Sequence, residues 1–135
     1  MKLIGFIKQH SKGTYATDII EYISTPNNYR EALINYLNKG ILLLPFMGGV
    51  DNCIEEKDEE FFGYVAVYTD GEWIWPQYIV EYLKKYENFN LNTEFTNHVK
   101  LNINKKIKIS DKEIIVLEKQ AYKLLGWTKD NVNRF

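Results

Sequence analysis

Residues 61–76 read Phe61-Phe62-Gly63-Tyr64-Val65-Ala66-Val67-Tyr68-Thr69-Asp70-Gly71-Glu72-Trp73-Ile74-Trp75-Pro76, and this stretch decides the fold. Phe61 to Tyr68 and Glu72 to Trp75 are rich in aromatic and β-branched residues, the side chains that suit a pleated, half-buried surface. Asp70-Gly71 between them is a favoured two-residue hairpin turn. The sequence therefore predicts an antiparallel hairpin over 61–75. A two-residue loop pairs Thr69 with Glu72, Tyr68 with Trp73, Val67 with Ile74 and Ala66 with Trp75. Because side chains alternate along a strand, Tyr64, Ala66, Tyr68, Trp73 and Trp75 share one face, and Val65, Val67 and Ile74 share the other. The aliphatic face reads as sheet core under helices. The aromatic face is either a second packed layer, the commoner fate of large aromatic side chains, or a stacking platform for a sugar, a base or a protein.

Helices are expected on both sides of this hairpin. Upstream, Tyr29, Ala32, Leu33, Tyr36 and Leu37 recur at the spacing that lines one helical face, which predicts a helix over 26–39. Thr25 would cap it, Pro26 would take its first position, and Lys39-Gly40 would stop it. A shorter helix near Tyr15 to Ile23 is expected from Thr14 as cap and Ile19, Ile20 and Ile23 as apolar face. Ile41 to Leu44 reads as a buried strand closed by Pro45. Downstream, Pro76 is expected to open a helix that buries Ile79, Val80, Leu83 and Tyr86. Thr93 to Leu101 forms another short helix, and the alternation of Leu101, Ile103, Ile107 and Ile109 suggests a strand. Ser110-Asp111-Lys112-Glu113 is a capping box. It opens a last helix with Ile114, Leu117, Ala121, Leu124 and Leu125 inward, Gly126 as its end and Trp127 folding back onto the core. These elements make a single α+β domain over residues 1–135: a small antiparallel sheet packed with about four to five helices.

Bulk composition narrows the function. The chain has 135 residues, 45% of them hydrophobic, enough for one real core. A net charge of -1 argues against a general nucleic-acid binder, which needs many uncompensated cations to displace counterions from phosphate. No stretch approaches a membrane span, and the start lacks the apolar core of a signal peptide, so a cytoplasmic protein is expected. Cys53 is the one cysteine, and with only His10 and His98 beside it no Cys/His zinc site is implied. Charge is nevertheless uneven. Residues 98–135 carry nine Lys/Arg against four Asp/Glu, which leaves an acidic surplus of six on residues 1–97.

Cys53 with His10 or His98 resembles a nucleophile and base only by residue type, since neither histidine sits in a local signature; an inert thiol is the simpler reading. Met47-Gly48-Gly49 lacks the spacing of a phosphate-binding loop. Lys105, Lys106 and Lys108 read as a solvated strand edge kept from aggregating by charge. The densest charge run is Asp51, Glu55, Glu56, Asp58, Glu59 and Glu60. It is either a solvated loop, the usual fate of such runs, or a negative surface that steers and binds a basic partner.

The segment Thr69-Asp70-Gly71-Glu72-Trp73-Ile74-Trp75-Pro76, followed by Tyr78-Ile79-Val80-Glu81-Tyr82-Leu83-Lys84-Lys85-Tyr86, is similar to a T-D-G-x-W-x-W-P hairpin-helix pattern of small bacterial immunity proteins of polymorphic toxin systems. The resemblance spans roughly residues 29–97. It implies a cytoplasmic protein that neutralises a cognate toxin domain by direct contact, without catalytic residues or cofactor. The toxin would present a basic active-site face to the acidic run at 51–60. Two competing expectations are a small carbohydrate- or ligand-binding module built on Tyr64, Tyr68, Trp73 and Trp75, and an enzyme with a cleft near Cys53.

Overall fold

The structure is a computed structural model in which residues 1–11, 13–55 and 61–127 are described. Among them lie four α-helices, one short 3₁₀ turn, a mixed sheet of four strands and a separate two-stranded ribbon, an α+β fold. In chain order the elements are β1 (Lys2–Leu3), α1 (Arg30–Asn38), β2 (Ile41–Leu44), β3 (Gly49–Asp51), β4 (Phe61–Tyr64), β5 (Val67–Thr69), β6 (Trp73–Pro76), α2 (Tyr78–Lys85), α3 (Thr93–Asn102) and α4 (Asp111–Leu125). No helix among the described residues is long and apolar enough to cross a membrane.

The hairpin forms, with a different register and a shorter first strand. The four-stranded sheet runs β1-β6-β5-β2, with β1 parallel to β6 and the other pairs antiparallel, so the sheet is mixed and not purely antiparallel. Phe61–Tyr64 leaves it to pair with β3 in the ribbon. In the hairpin itself Thr69 faces Ile74, Tyr68 faces Trp75 and Val67 faces Pro76. That is two residues away from the two-residue-loop register. The cause is side-chain hydrogen bonding in the turn. Thr69 Oγ1 donates to Trp73 O at 2.8 Å and accepts from Gly71 N at 3.0 Å, while Asp70 Oδ1 accepts from Glu72 N at 2.9 Å and Trp73 N at 2.8 Å. Local polar side chains take over most of the first rung, where only a long backbone bond from Asp70 N to Trp73 O at 3.4 Å remains, and Gly71 takes a φ of 104° in the turn. A shift of two residues keeps Trp73 and Trp75 on one face and Val67 and Ile74 on the other, but Val65, expected with the latter pair, precedes β5, bonds Gly48 O at 2.9 Å and joins the core of the tryptophans.

The two faces therefore nucleate two cores. Trp73 and Trp75, 3% and 0% exposed, pack with Leu33 and Tyr36 of α1, Ile79 and Leu83 of α2, and Phe95 and Val99 of α3. Val67 and Ile74, on the opposite face, pack with Leu43 and Leu44 of β2 and Ala121 and Leu125 of α4. The aromatic face is thus a packed layer, and Trp73 and Trp75 are not available as a ligand platform. Tyr64, assigned to the same face, instead lies exposed on the ribbon.

Pro76 does not open α2; it is the last residue of β6. Its missing N–H falls on the side of β1, which has already ended, the last rung being Ile4 N to Ile74 O at 3.0 Å. Gln77 takes the cap position instead, and Tyr78 and Tyr82 join the expected Ile79, Val80 and Leu83 in the core.

Other boundaries move for equally local reasons. Helix α1 starts at Arg30, not at 26, because residues 24–27 bond the connector beyond α2: Ser24 N to Asn88 O at 3.0 Å and Asn27 N to Glu87 O at 2.7 Å. The helix expected over 15–23 is one 3₁₀ turn, Ile19–Tyr22, capped by Asp18 and not by Thr14, with Ile20 and Ile23 exposed. Thr17 is held extended against Phe6 and Lys8, so no helix can begin before it. The strand expected at 101–109 does not form. Leu101 ends in α3, exposed, and residues 103–110 run without regular structure. Ser110 caps α4 through Glu113 N at 3.2 Å, as its capping box requires, and Gly126 ends that helix with a φ of 65°. Leu124, expected inside, is exposed, whereas Trp127 folds back onto Phe46 and Tyr15.

Candidate functional site

The acidic run is only partly on view. Glu56, Asp58, Glu59 and Glu60 lie outside the described residues. Glu55 bonds Lys85 Nζ at 2.9 Å, and Asp51 ends β3, exposed. In the β3–β4 ribbon Asp51 is the cross-strand partner of Phe61, and Gly49 that of Tyr64. Phe61 and Tyr64 are 57% and 42% exposed, with ring centroids 4.5 Å apart. Gly49 leaves room for this pair, since a Cβ there would stand 2.9 Å from the Phe61 ring. An exposed aromatic pair beside a carboxylate is thus built into the strand that follows the acidic run. The sequence assigns Phe61 and Tyr64 to the hairpin and does not announce the pair. Its signal, Phe61-Phe62-Gly63-Tyr64 directly after six acidic positions, was legible only as strand propensity.

Asp70 organises a second cluster. Its Oδ1 is occupied by the two turn amides, and its Oδ2 accepts from Tyr36 Oη at 2.6 Å and His98 Nε2 at 2.7 Å. A carboxylate only accepts, so the His98 tautomer carries its proton on Nε2. The Asp70 side chain is 2% exposed, and the Tyr36 hydroxyl is pushed up, first by burial and then by Asp70. Nδ1 of His98 lies 3.4 Å from both Glu72 Oε2 and Asn102 Nδ2, at the floor of a concavity of about 180 Å³. Lys105, Lys106, Ile107 and Lys108 line its far side. The turn aspartate of the hairpin motif is therefore also the anchor of α3 and α1.

Cys53, His10 and Tyr82 form a third cluster, which brings Cys53 and His10 onto one hydroxyl without joining them. Tyr82 Oη accepts from Cys53 N at 3.0 Å and donates to Cys53 Sγ at 3.1 Å, and His10 Nε2 stands 2.6 Å from the same oxygen. With its own proton directed to sulfur, that oxygen takes the Nε2 proton of His10. Burial pushes the Cys53 thiol up, away from the reactive thiolate. His98, the other base considered for it, belongs to the Asp70 cluster. Among the described residues no three His, Cys, Asp or Glu side chains converge as a metal ion would require.

Burial also drives the His10 imidazole down to about 4, against a smaller opposing pull from Asp51. An unfolded chain protonates this ring near pH ~6.5. Between those values the unfolded state holds more protons, so stability falls as pH drops through the window and levels off below it. Urea denaturation across pH should show the gap between wild type and His10→Gln narrowing by about 2 kcal/mol from pH ~7 to ~4, a figure discounted for the partly exposed ring. A gap independent of pH would mean that His10 does not titrate in this way.

No family model, no curated protein and no solved structure matches this chain.

Proposed function

We propose that this chain is a binding protein that neutralises a basic partner, in the manner of an immunity protein acting on a cognate toxin domain inside the cell, with the β3–β4 ribbon as its contact surface. The observation that carries this reading is the Phe61–Tyr64 ring pair, exposed beside Asp51 and directly after the acidic run. Aromatic side chains dominate the energetics of protein interfaces when a partner desolvates them, and flanking charge of one sign accelerates encounter with the opposite sign. The similarity of the hairpin-helix segment to toxin-immunity proteins supports the same reading. So does the state of the Cys53 cluster, whose thiol is held protonated.

Survival is the test. A toxic C-terminal domain encoded beside this chain is co-expressed with it and without it. Protection by the wild-type chain, lost in Phe61→Ser and in the charge reversal Asp51→Lys/Glu55→Lys while the circular dichroism spectrum is kept, is the expected result. The Phe61 change should weaken the complex by about 2 kcal/mol, roughly thirtyfold in Kd, by calorimetry. Death with and without the chain removes the immunity reading, and full protection by both variants removes the ribbon as its surface.

A further inference from the structure

We propose that the concavity between α3, the hairpin turn and residues 105–108 binds a small phosphate-type oxyanion. Three lysines line this pocket of about 180 Å³: Lys105, Lys106 and Lys108. Among the described residues none of the three has a carboxylate within ion-pair distance. They were expected to be a solvated strand edge, yet no strand forms there. Their segment is instead tied to the pocket. Lys39 Nζ donates to Ile103 O at 3.2 Å, Lys105 N donates to Asn102 O at 3.0 Å, and the end of the Ile109 side chain lies over Gly71 of the turn.

Asp70, which also lines the pocket, keeps its negative charge but offers these cations no free oxygen to pair with. Both oxygens of Asp70 are filled, two donors on each, and its side chain is closed to solvent. Glu72 is the second carboxylate of the lining, and its side chain is 75% exposed, free to turn outward. Three cations therefore face two carboxylates, one buried with its oxygens filled and one displaceable, around a concavity the size of a single oxyanion with its waters. A partly enclosed wall reduces the screening that usually makes surface lysines ineffective. A dianion gains more than a monoanion from a lining whose charge balance is positive, and every oxygen of phosphate can accept from an ammonium group. An extended polyanion fits less well, because these cations are confined to four consecutive residues and the chain as a whole is slightly acidic. This inference is independent of the ribbon and of any protein partner.

The full chain is titrated at constant ionic strength with inorganic phosphate, a phosphoserine peptide, acetate and chloride, following the His98 ring resonances by NMR. Saturable shifts with phosphate or the phosphoserine peptide, weaker with acetate and absent with chloride, are the expected result. Saturation by both assigns the site to the phosphoryl group itself, whereas saturation by the peptide alone assigns it to a modified chain. Lys105→Gln/Lys106→Gln/Lys108→Gln, with all three changes in an irregular exposed segment, should weaken binding about tenfold or more, and Glu72→Gln should tighten it about threefold. The opposite responses separate a built site from loose ion condensation. Linear shifts that match chloride, or a binding curve unchanged in the triple variant, would overturn the proposal.

Discussion

Asp70→Ala is expected to lower the unfolding free energy by about 3 kcal/mol, a large effect for a turn residue. The change strips the acceptor from four donors at once: Glu72 N, Trp73 N, Tyr36 Oη and His98 Nε2. The loss is not four times that of one bond. Glu72 N faces solvent, and Tyr36 Oη already stands 3.3 Å from His98 Nε2, so these two can bond each other if the histidine proton moves to Nδ1. What remains uncompensated is Trp73 N and the docking of α3 on the hairpin turn. Asp70→Asn separates the roles. Its oxygen still accepts from both turn amides, and its amide nitrogen can donate to His98 in the other tautomer, so about 1 kcal/mol is the expected cost. Urea denaturation of both variants decides the matter. An Asn variant as damaged as the Ala variant would mean that the charge, not the acceptor count, holds the cluster, and an Ala variant within experimental error of wild type would deny it any structural role.

This cluster also shows where the sequence was opaque. Asp70 was legible as a turn residue because turn chemistry is local, decided within two or three positions. Its bonds to Tyr36 and His98 span 34 and 28 residues, and nothing in local spacing announces them. The same division runs through the fold. The sorting of Trp73 and Trp75 onto one face and Ile74 onto the other was readable, since alternation survives any even change of register. The register itself was not, because Thr69 and Asp70 could serve the turn either as backbone or through their side chains. Helix α4 was readable from its cap to its glycine stop. The start of α1 was not, since Thr25 and Pro26 carry the marks of a helix start while bonds from their segment to residues 87–90 hold it outside the helix. For the candidate surfaces, the charges of the acidic run and of Lys105 to Lys108 were visible as composition. That an aromatic pair follows the first, and that the second borders a concavity instead of a strand edge, depends on tertiary placement.

Gly40→Ala is expected to cost about 3 kcal/mol, and the reason differs from the one its position suggests. A glycine after a helix is usually kept for a left-handed backbone, yet Gly40 has no positive φ; the positive-φ residues among those described are Gly5, Gly71 and Gly126. Its requirement is space. A Cβ at position 40 would stand 2.3 Å from Cζ2 of Trp75 and 3.1 Å from its Cη2, with the Leu37 carbonyl also at 3.1 Å. Trp75 is fully buried between α1 and α3, against Tyr36 and Phe95, and a close-packed core resists the displacement of so large a ring. The penalty therefore lies in one contact, and a second substitution should relieve it. Trp75→Phe deletes the two atoms in question at its own cost of about 2 kcal/mol for the lost volume. In that background Gly40→Ala should cost about 1 kcal/mol or less, a coupling of roughly 2 kcal/mol between the two sites. Chemical denaturation of the four proteins measures it directly. Strict additivity would place the role of Gly40 in the backbone, whereas coupling of the expected sign makes Gly40 and Trp75 a matched pair, the glycine fixing how closely the hairpin's second tryptophan can approach the end of α1.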